Sequence, residues 1–163
     1  MALALHILVG SMTGNARLVA QEIELSFADV DLDIEVTMMD ALDASAFARP
    51  GLYLVCTSTY GQGDVPDNAK ALYADLLRRR HDLRGVRYGV YALGDRTHVG
   101  TFCDGGRRFD EALRDAGATR IGEVGQHDAS GGTLPEESGL AWFEQWIALA
   151  REQSPIEARA GDA

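Results

Sequence analysis

At 163 residues the chain has room for a single domain with one buried core. Its 46% apolar and 25% charged residues include no apolar run near the roughly 20 needed to cross a bilayer, which excludes a membrane-spanning role. A net charge of −10 disfavours nucleic acid, whose phosphates would be repelled, and suits a partner with a basic face.

Leu3 to Val9 is a nearly continuous apolar run stopped by Gly10, the pattern of a strand covered on both faces. Because Met1 to Gly10 reads as a strand and lacks the basic, apolar and small-residue tripartite plan of a secretory signal, a cytoplasmic address is expected. Cys56 and Cys103 offer neither a disulfide framework nor metal-ligand spacing, and His6, His81 and His127 have no paired ligands around them, so no metal is expected. Four more strands are predicted at Ile34 to Met39, Leu52 to Thr57, Val86 to Leu93 and Thr119 to Val124.

Apolar stripes at helical spacing fall between them. One runs Leu18, Val19, Ile23, Phe27; others are Leu72, Leu76, Leu77 and Phe109, Leu113, Ala116. Trp142, Phe143, Trp146 and Ile147 mark a final amphipathic helix, while Asp43 to Phe47 has room only for a turn. Arg78-Arg79-Arg80 reads as a solvated helix end that complements the helix dipole. Gln153 to Ala163 has no apolar period and is expected to be a disordered tail behind a domain of residues 1–152.

Alternating strands and helices give an α/β fold, a doubly wound five-stranded parallel sheet with helices on both faces. Strand order 2-1-3-4-5 is the common solution, and it places a ligand crevice at the carboxyl ends of strands one and three. The chemistry is therefore expected in the loops after Gly10, Thr57 and Leu93.

The first loop, Gly10-Ser11-Met12-Thr13-Gly14-Asn15-Ala16, is small and hydroxylated and opens directly into a helix, a natural seat for phosphate. It has no Lys-Ser/Thr ending for a nucleoside triphosphate and no three spaced glycines for a dinucleotide. An ordinary capped turn is the structural alternative. The second loop, Thr57 to Asn68, carries Tyr60 as an aromatic face and Gly61 and Gly63 where backbone can approach a planar ligand; Asp67 or Asn68 reads as a cap for the next helix. The third, Gly94 to Gly106, is too long for a mere connection.

Together these loops resemble the three FMN loops of the flavodoxin family, closest to short flavodoxins of the MioC type and to the FMN domains of cytochrome P450 reductase and sulfite reductase. The likeness covers roughly Leu5 to Ala150. It implies an FMN-binding electron carrier without catalytic residues, fed by a ferredoxin–NADP-type reductase and serving redox acceptor proteins with basic docking faces. It also implies a site made of Ser11, Met12, Thr13, Gly14, Asn15 and Ala16 at the phosphate, and Ser58, Thr59, Tyr60, Gly61 and Gly63 beside the isoalloxazine. Leu93, Gly94, Asp95, His98, Phe102 and Cys103 would cover the other side.

The family's tyrosine three positions before the phenylalanine of the third loop is missing; His98 stands four before Phe102. His98, Phe102 or an uncovered ring face are the alternatives, and a stacked His98 would make the flavin potential sensitive to pH near neutrality. A signalling receiver is disfavoured because Ser11-Met12 and Thr57-Ser58 occupy the positions of its acidic residues. An FMN-dependent quinone reductase, or an accessory protein with incidental FMN, is the alternative function.

Overall fold

The computed structural model describes residues 2–12, 14–60, 63–97 and 100–162, the side chains of 154–162 aside. The chain runs β1 (Leu3–Gly10), α1 (Asn15–Phe27), β2 (Leu32–Met38), β3 (Leu52–Thr57), α2 (Lys70–Leu77), β4 (Arg87–Gly94), α3 (Asp104–Asp115), β5 (Thr119–Arg120), β6 (Gly125–Asp128) and α4 (Pro135–Asp162). All strands pair in parallel, in the order β2-β1-β3-β4-β5, with β6 also on β4.

β1, β3 and β4 are the strands with apolar residues at nearly every position, because helices cover both of their faces. One face packs Leu5, Ile7, Val9, Leu54 and Cys56 against α1 and α4 through Val19, Ile23, Phe143 and Trp146. The opposite face packs Leu8, Tyr53, Val55, Tyr88 and Val90 against Leu72, Leu76, Phe109 and Leu113 of α2 and α3. Alternation of side chains along each strand sends neighbouring residues into these two separate cores.

The connection between β2 and β3 contains no α-helix. It carries two short 3-10 turns, Met39–Ala41 and Ala44–Ala48, which bury Met39 and Phe47 as plugs for the second core. The Asp43 carboxylate accepts from the Ser45 amide at 2.9 Å and starts the second turn.

The fifth sheet position departs from the sequence expectation. In place of one strand over Thr119 to Val124, the structure has two short strands, β5 and β6, both beside β4. Gly122 between them has φ +68°, a left-handed conformation that stops a strand. The Arg120 guanidinium donates to its carbonyl at 2.8 Å, and Trp146 donates to the Ile121 carbonyl at 3.0 Å. β6 consequently forms in Gly125–Asp128, where the polarity of Gln126, His127 and Asp128 suggests a loop.

α4 runs from Pro135 to Asp162.

Candidate functional site

Register brings the strand exits together at one edge. Gly10 of β1 lies opposite Thr57 of β3, Thr57 opposite Ala92 of β4, and Gly94 opposite Asp128 of β6. Four loops therefore leave side by side at the carboxyl edge, and between them lies a cavity of about 450 Å³. That volume falls within the range of small-molecule sites. Its wall combines Asn15 of α1, Ser58 and Thr59 after β3, Leu93 to Asp95 and Thr101 around the third loop, and a fourth segment of His127, Ala129 and 132–135.

The first loop is pinned from a distance. The Asn68 side chain accepts from the Ser11 amide at 2.9 Å and donates to the Val9 carbonyl at 3.1 Å and the Asp40 carboxylate at 3.3 Å. The sequence suggests a cap for α2 at Asn68 or Asp67. Instead α2 begins on Ala69 without a side-chain cap, and Asp67 pairs with Lys70 at 3.1 Å. Asn68 is thus an amide clamp between loops, a role that requires knowing which strands are neighbours.

Within the first loop the Ser11 hydroxyl accepts from the Gly14 amide at 2.8 Å. Gly14, at φ +94°, is the N-cap of α1; among the described residues no side chain caps the helix, and its first turn has no acidic residue. The amides of that turn, with the positive end of the helix dipole, lie at an exposed Asn15. Met12 is exposed, with its sulfur 3.2 Å from the Asp67 amide, whereas Ala16 is buried beneath the loop. Thr13 lies outside the described residues.

The second loop turns tightly between Tyr60 and Asp64, whose amides donate to each other's carbonyls at 2.8 and 2.9 Å. Tyr60 projects half exposed beside this turn, and Gly63 sits against Asp104. Gly61 lies outside the described residues. Thr59 fastens the loop inward, its hydroxyl donating to the Leu93 carbonyl and accepting from the Gly105 amide, both at 3.0 Å.

The third loop combines local contacts with an anchor on Asp128 of β6. Asp95 accepts from the amide of Thr97 at 2.9 Å and from its hydroxyl at 2.6 Å. Arg96 lies over the Phe102 ring, 4.1 Å from its centroid, and pairs with Asp128 at 3.4 Å. One face of Phe102 is therefore already covered by a guanidinium, and Phe102 is not in the cavity wall. His98 lies outside the described residues.

Cys103 points away from the cavity. Its thiol is buried against the Ala92 carbonyl at 3.4 Å, and burial pushes its pKa up to about 12. It starts α3 from a left-handed conformation, φ 58°, so its contribution is to the turn that carries the loop into the helix.

The fourth segment is the part that sequence reasoning missed. His127 stands in that reading only as an unpaired histidine of a polar loop, yet it is buried in the cavity wall, and burial lowers its pKa. The run Gly131-Gly132-Thr133 before Pro135 is the signal that was there to use, since it is one more strand-to-helix loop at the same sheet edge.

The remaining polar features are structural. Arg78 and Arg80 lie within 4 Å of Asp75, and Arg79 pairs with Asp115 at 3.3 Å. His6 is held at 2.9 Å from the Pro50 carbonyl. Among the described residues no three metal-ligating side chains gather, and no helix is long and apolar enough to cross a membrane.

Comparison with known proteins points one way. A flavodoxin family profile matches residues 7–142. Flavodoxin YqcA of Pectobacterium carotovorum is 40% identical over 147 residues, covering 90% of this chain and 97% of its own length. A structure of a cysteine-to-alanine mutant of flavodoxin from Pseudomonas aeruginosa superposes with TM-score 0.77 at 29% identity, covering 90% of this chain and 98% of that one. Pyruvate dehydrogenase [NADP(+)] of Cryptosporidium parvum is 30% identical over 160 residues, which cover 93% of this chain and only 8% of that enzyme.

Proposed function

The chain belongs to the flavodoxin family, whose cofactor is FMN, and we propose that it is an electron carrier between an NADPH-dependent reductase and acceptor proteins. The observation that carries this reading is the cavity at the carboxyl edge, where an uncapped helix start and an amphipathic wall meet. FMN needs both: backbone amides for its phosphate, and a mixture of hydroxyls and apolar surface for its ribityl chain and ring. Ser58, Thr59, Asp95, Thr101 and Thr133 supply the polar groups, and Leu93, Leu134 and Pro135 the apolar ones.

In this reading Ser11 to Ala16 hold the phosphate, with the loop fixed beforehand by Asn68 and by the Ser11–Gly14 bond. Tyr60, Gly61 and Gly63 border the ring on one side, and the stretch from Leu93 to Phe102 on the other. Bound FMN supplies the redox chemistry, and the protein sets its position and potential. The chain's negative field disfavours added charge on the flavin and so lowers its potential. Local ion pairs temper that effect, because Asp104 is paired with Arg107, Asp64 lies 4.0 Å from Arg108, and Asp128 is paired with Arg96.

The donor is inferred to be a ferredoxin–NADP-type reductase. Support comes from the family and from the likeness to one segment of an NADP(+)-dependent enzyme. A net charge of −10 favours donors and acceptors that present basic faces.

Reconstitution tests the reading. Apoprotein titrated with FMN is expected to take up one equivalent and quench its fluorescence. The loaded protein, given NADPH and a ferredoxin–NADP-type reductase, is expected to pass electrons to cytochrome c. Absence of FMN uptake overturns the cofactor assignment; direct quinone turnover without a reductase replaces the carrier with an enzyme.

A further inference from the structure

His127 sits at the cavity wall, 4% exposed, with one ring nitrogen engaged. Its Nδ1 is 2.7 Å from the Ser138 hydroxyl of α4, which in turn is 2.5 Å from the Tyr91 hydroxyl of β4 and 3.3 Å from the Pro135 carbonyl. Tyr91 is buried, and among the described residues its hydroxyl meets only Ser138, so the phenol must donate there or leave its proton unpaired. Ser138 then has a single proton to give, to Nδ1 at 2.7 Å or to the Pro135 carbonyl at 3.3 Å, and giving it to the nearer Nδ1 makes that nitrogen an acceptor. An accepting Nδ1 places the ring proton on Nε2. Among the described residues nothing is hydrogen-bonded to that nitrogen, which leaves a donor for the cavity.

We propose that His127 is a cofactor-binding residue, its Nε2–H donating to an oxygen of the ribityl-phosphate arm of FMN, with Ser138 and Tyr91 as the positioning residues that fix its tautomer. The inference rests on the reading that this cavity holds FMN. The arm is favoured over the ring because the cavity wall that contains His127 also contains Asn15 at the anion-binding helix start and the hydroxyls of Ser58, Thr59 and Thr133, whereas Tyr60 is not part of it.

The surroundings give the contact a pH signature. The groups facing His127 are Asp128 on its own strand, Glu136 on α4, Tyr91 and Asp95 on the β4 side, and the Cys103 thiol behind its carbonyl; Asn15 on α1 is neutral. Burial keeps the imidazole neutral around pH 7, against the opposing pull of Asp128 and Glu136. Acidification charges it, and an anionic arm then gains an ionic partner as well as a hydrogen bond.

The test compares FMN with lumiflavin, which has the ring and no arm, by fluorescence titration of the apoprotein. His127→Phe is expected to weaken FMN about tenfold near pH 7.5, and Ser138→Ala about threefold, the loss expected for one buried hydrogen bond or its misalignment. Lumiflavin affinity is expected to be unchanged in both. His127→Gln, which keeps an N–H donor, is expected to recover most of the loss near pH 7.5. The ratio of His127→Gln to wild-type dissociation constants is expected to widen toward pH 5.5, because only histidine gains a charge.

Equal FMN affinity in wild type and both loss variants overturns the proposal, as does an equal weakening of lumiflavin, which would make His127 a packing residue. If His127→Phe does not fold, Ser138→Ala and His127→Gln still decide through the lumiflavin comparison and the pH ratio. Wild type that takes up no FMN overturns the cofactor reading itself; wild type that binds normally beside unaffected variants overturns only the role of His127.

Discussion

The two sides of the cavity are built in opposite ways. Loops one and two are held by bonds that reach across the chain, from Asn68 to Ser11 and Val9 and from Thr59 to Leu93 and Gly105. The third loop shares the Thr59 bonds at its two ends, and between them it is held by its own neighbours, Asp95 with Thr97 and Arg96 with Phe102, and by the Arg96 amide and guanidinium on Asp128. The first side is thus a product of the fold, formed whenever the sheet forms. The second, between its anchors on Thr59 and Asp128, owes more of its shape to local sequence. A carrier needs both, a fixed seat for its cofactor's phosphate and an adjustable surround for the ring that sets its potential.

The sharpest test of this difference is Asn68→Ala. It removes three hydrogen bonds at once and leaves the partly buried Ser11 amide and Val9 carbonyl unpaired. Stability is expected to fall by about 2–3 kcal/mol in urea denaturation, and FMN affinity by at least tenfold, since the phosphate loop loses its tether. A variant as stable as wild type would mean that the first loop does not depend on the clamp.

Gly105→Ala attacks the same side from below. A Cβ there collides with the Ser58 carbonyl, a backbone atom that can yield only by moving the second loop. The expected cost is about 1–3 kcal/mol, with FMN affinity falling in step. Full affinity with lowered stability would separate the second loop from the site and break the symmetry drawn between loops one and two.

How much of this was legible beforehand divides along the same line. The buried strands announced themselves by continuous apolar runs, and sheet order followed from the βα alternation, so the cavity's edge was predictable. What failed were features that depend on neighbours distant in sequence. Asn68 looked like a helix cap because capping is the local use of asparagine; its true partners are 28 to 59 residues away. β6 looked like a loop because only one of its four residues, Gly125, is apolar or small, and its pairing comes from lying beside β4.

Smaller effects are expected from pH. Burial holds the His127 pKa below its unfolded value of about 6.5, so the unfolded chain binds the proton more readily. This group therefore contributes stability that is complete above pH ~6.5 and lost as pH falls through the window down to its lowered folded pKa. Apoprotein denaturation midpoints are expected to drop across that window, less than for either substitution above, and His127→Phe is expected to flatten the slope. An unaltered slope in the variant would assign the pH dependence to other groups.

The smallest effect is expected at Arg96, and its smallness is the point. The side chain is exposed, stacks on Phe102 of its own loop and pairs with Asp128 at the end of β6. Exposed pairs of this kind add little to stability, because water screens the charges and ordering two side chains offsets the gain. Arg96→Ala is therefore expected to leave the urea midpoint unchanged within error. The flavin surround should nevertheless respond, since removing the guanidinium uncovers one face of Phe102 and takes a positive charge from the third loop. The flavin midpoint potential is expected to move to more negative values, in the direction set by a less compensated Asp128. If Arg96→Ala instead unfolds the protein as readily as Asn68→Ala, the third loop is part of the fold's own framework, and the division between a fixed phosphate seat and an adjustable ring surround does not hold.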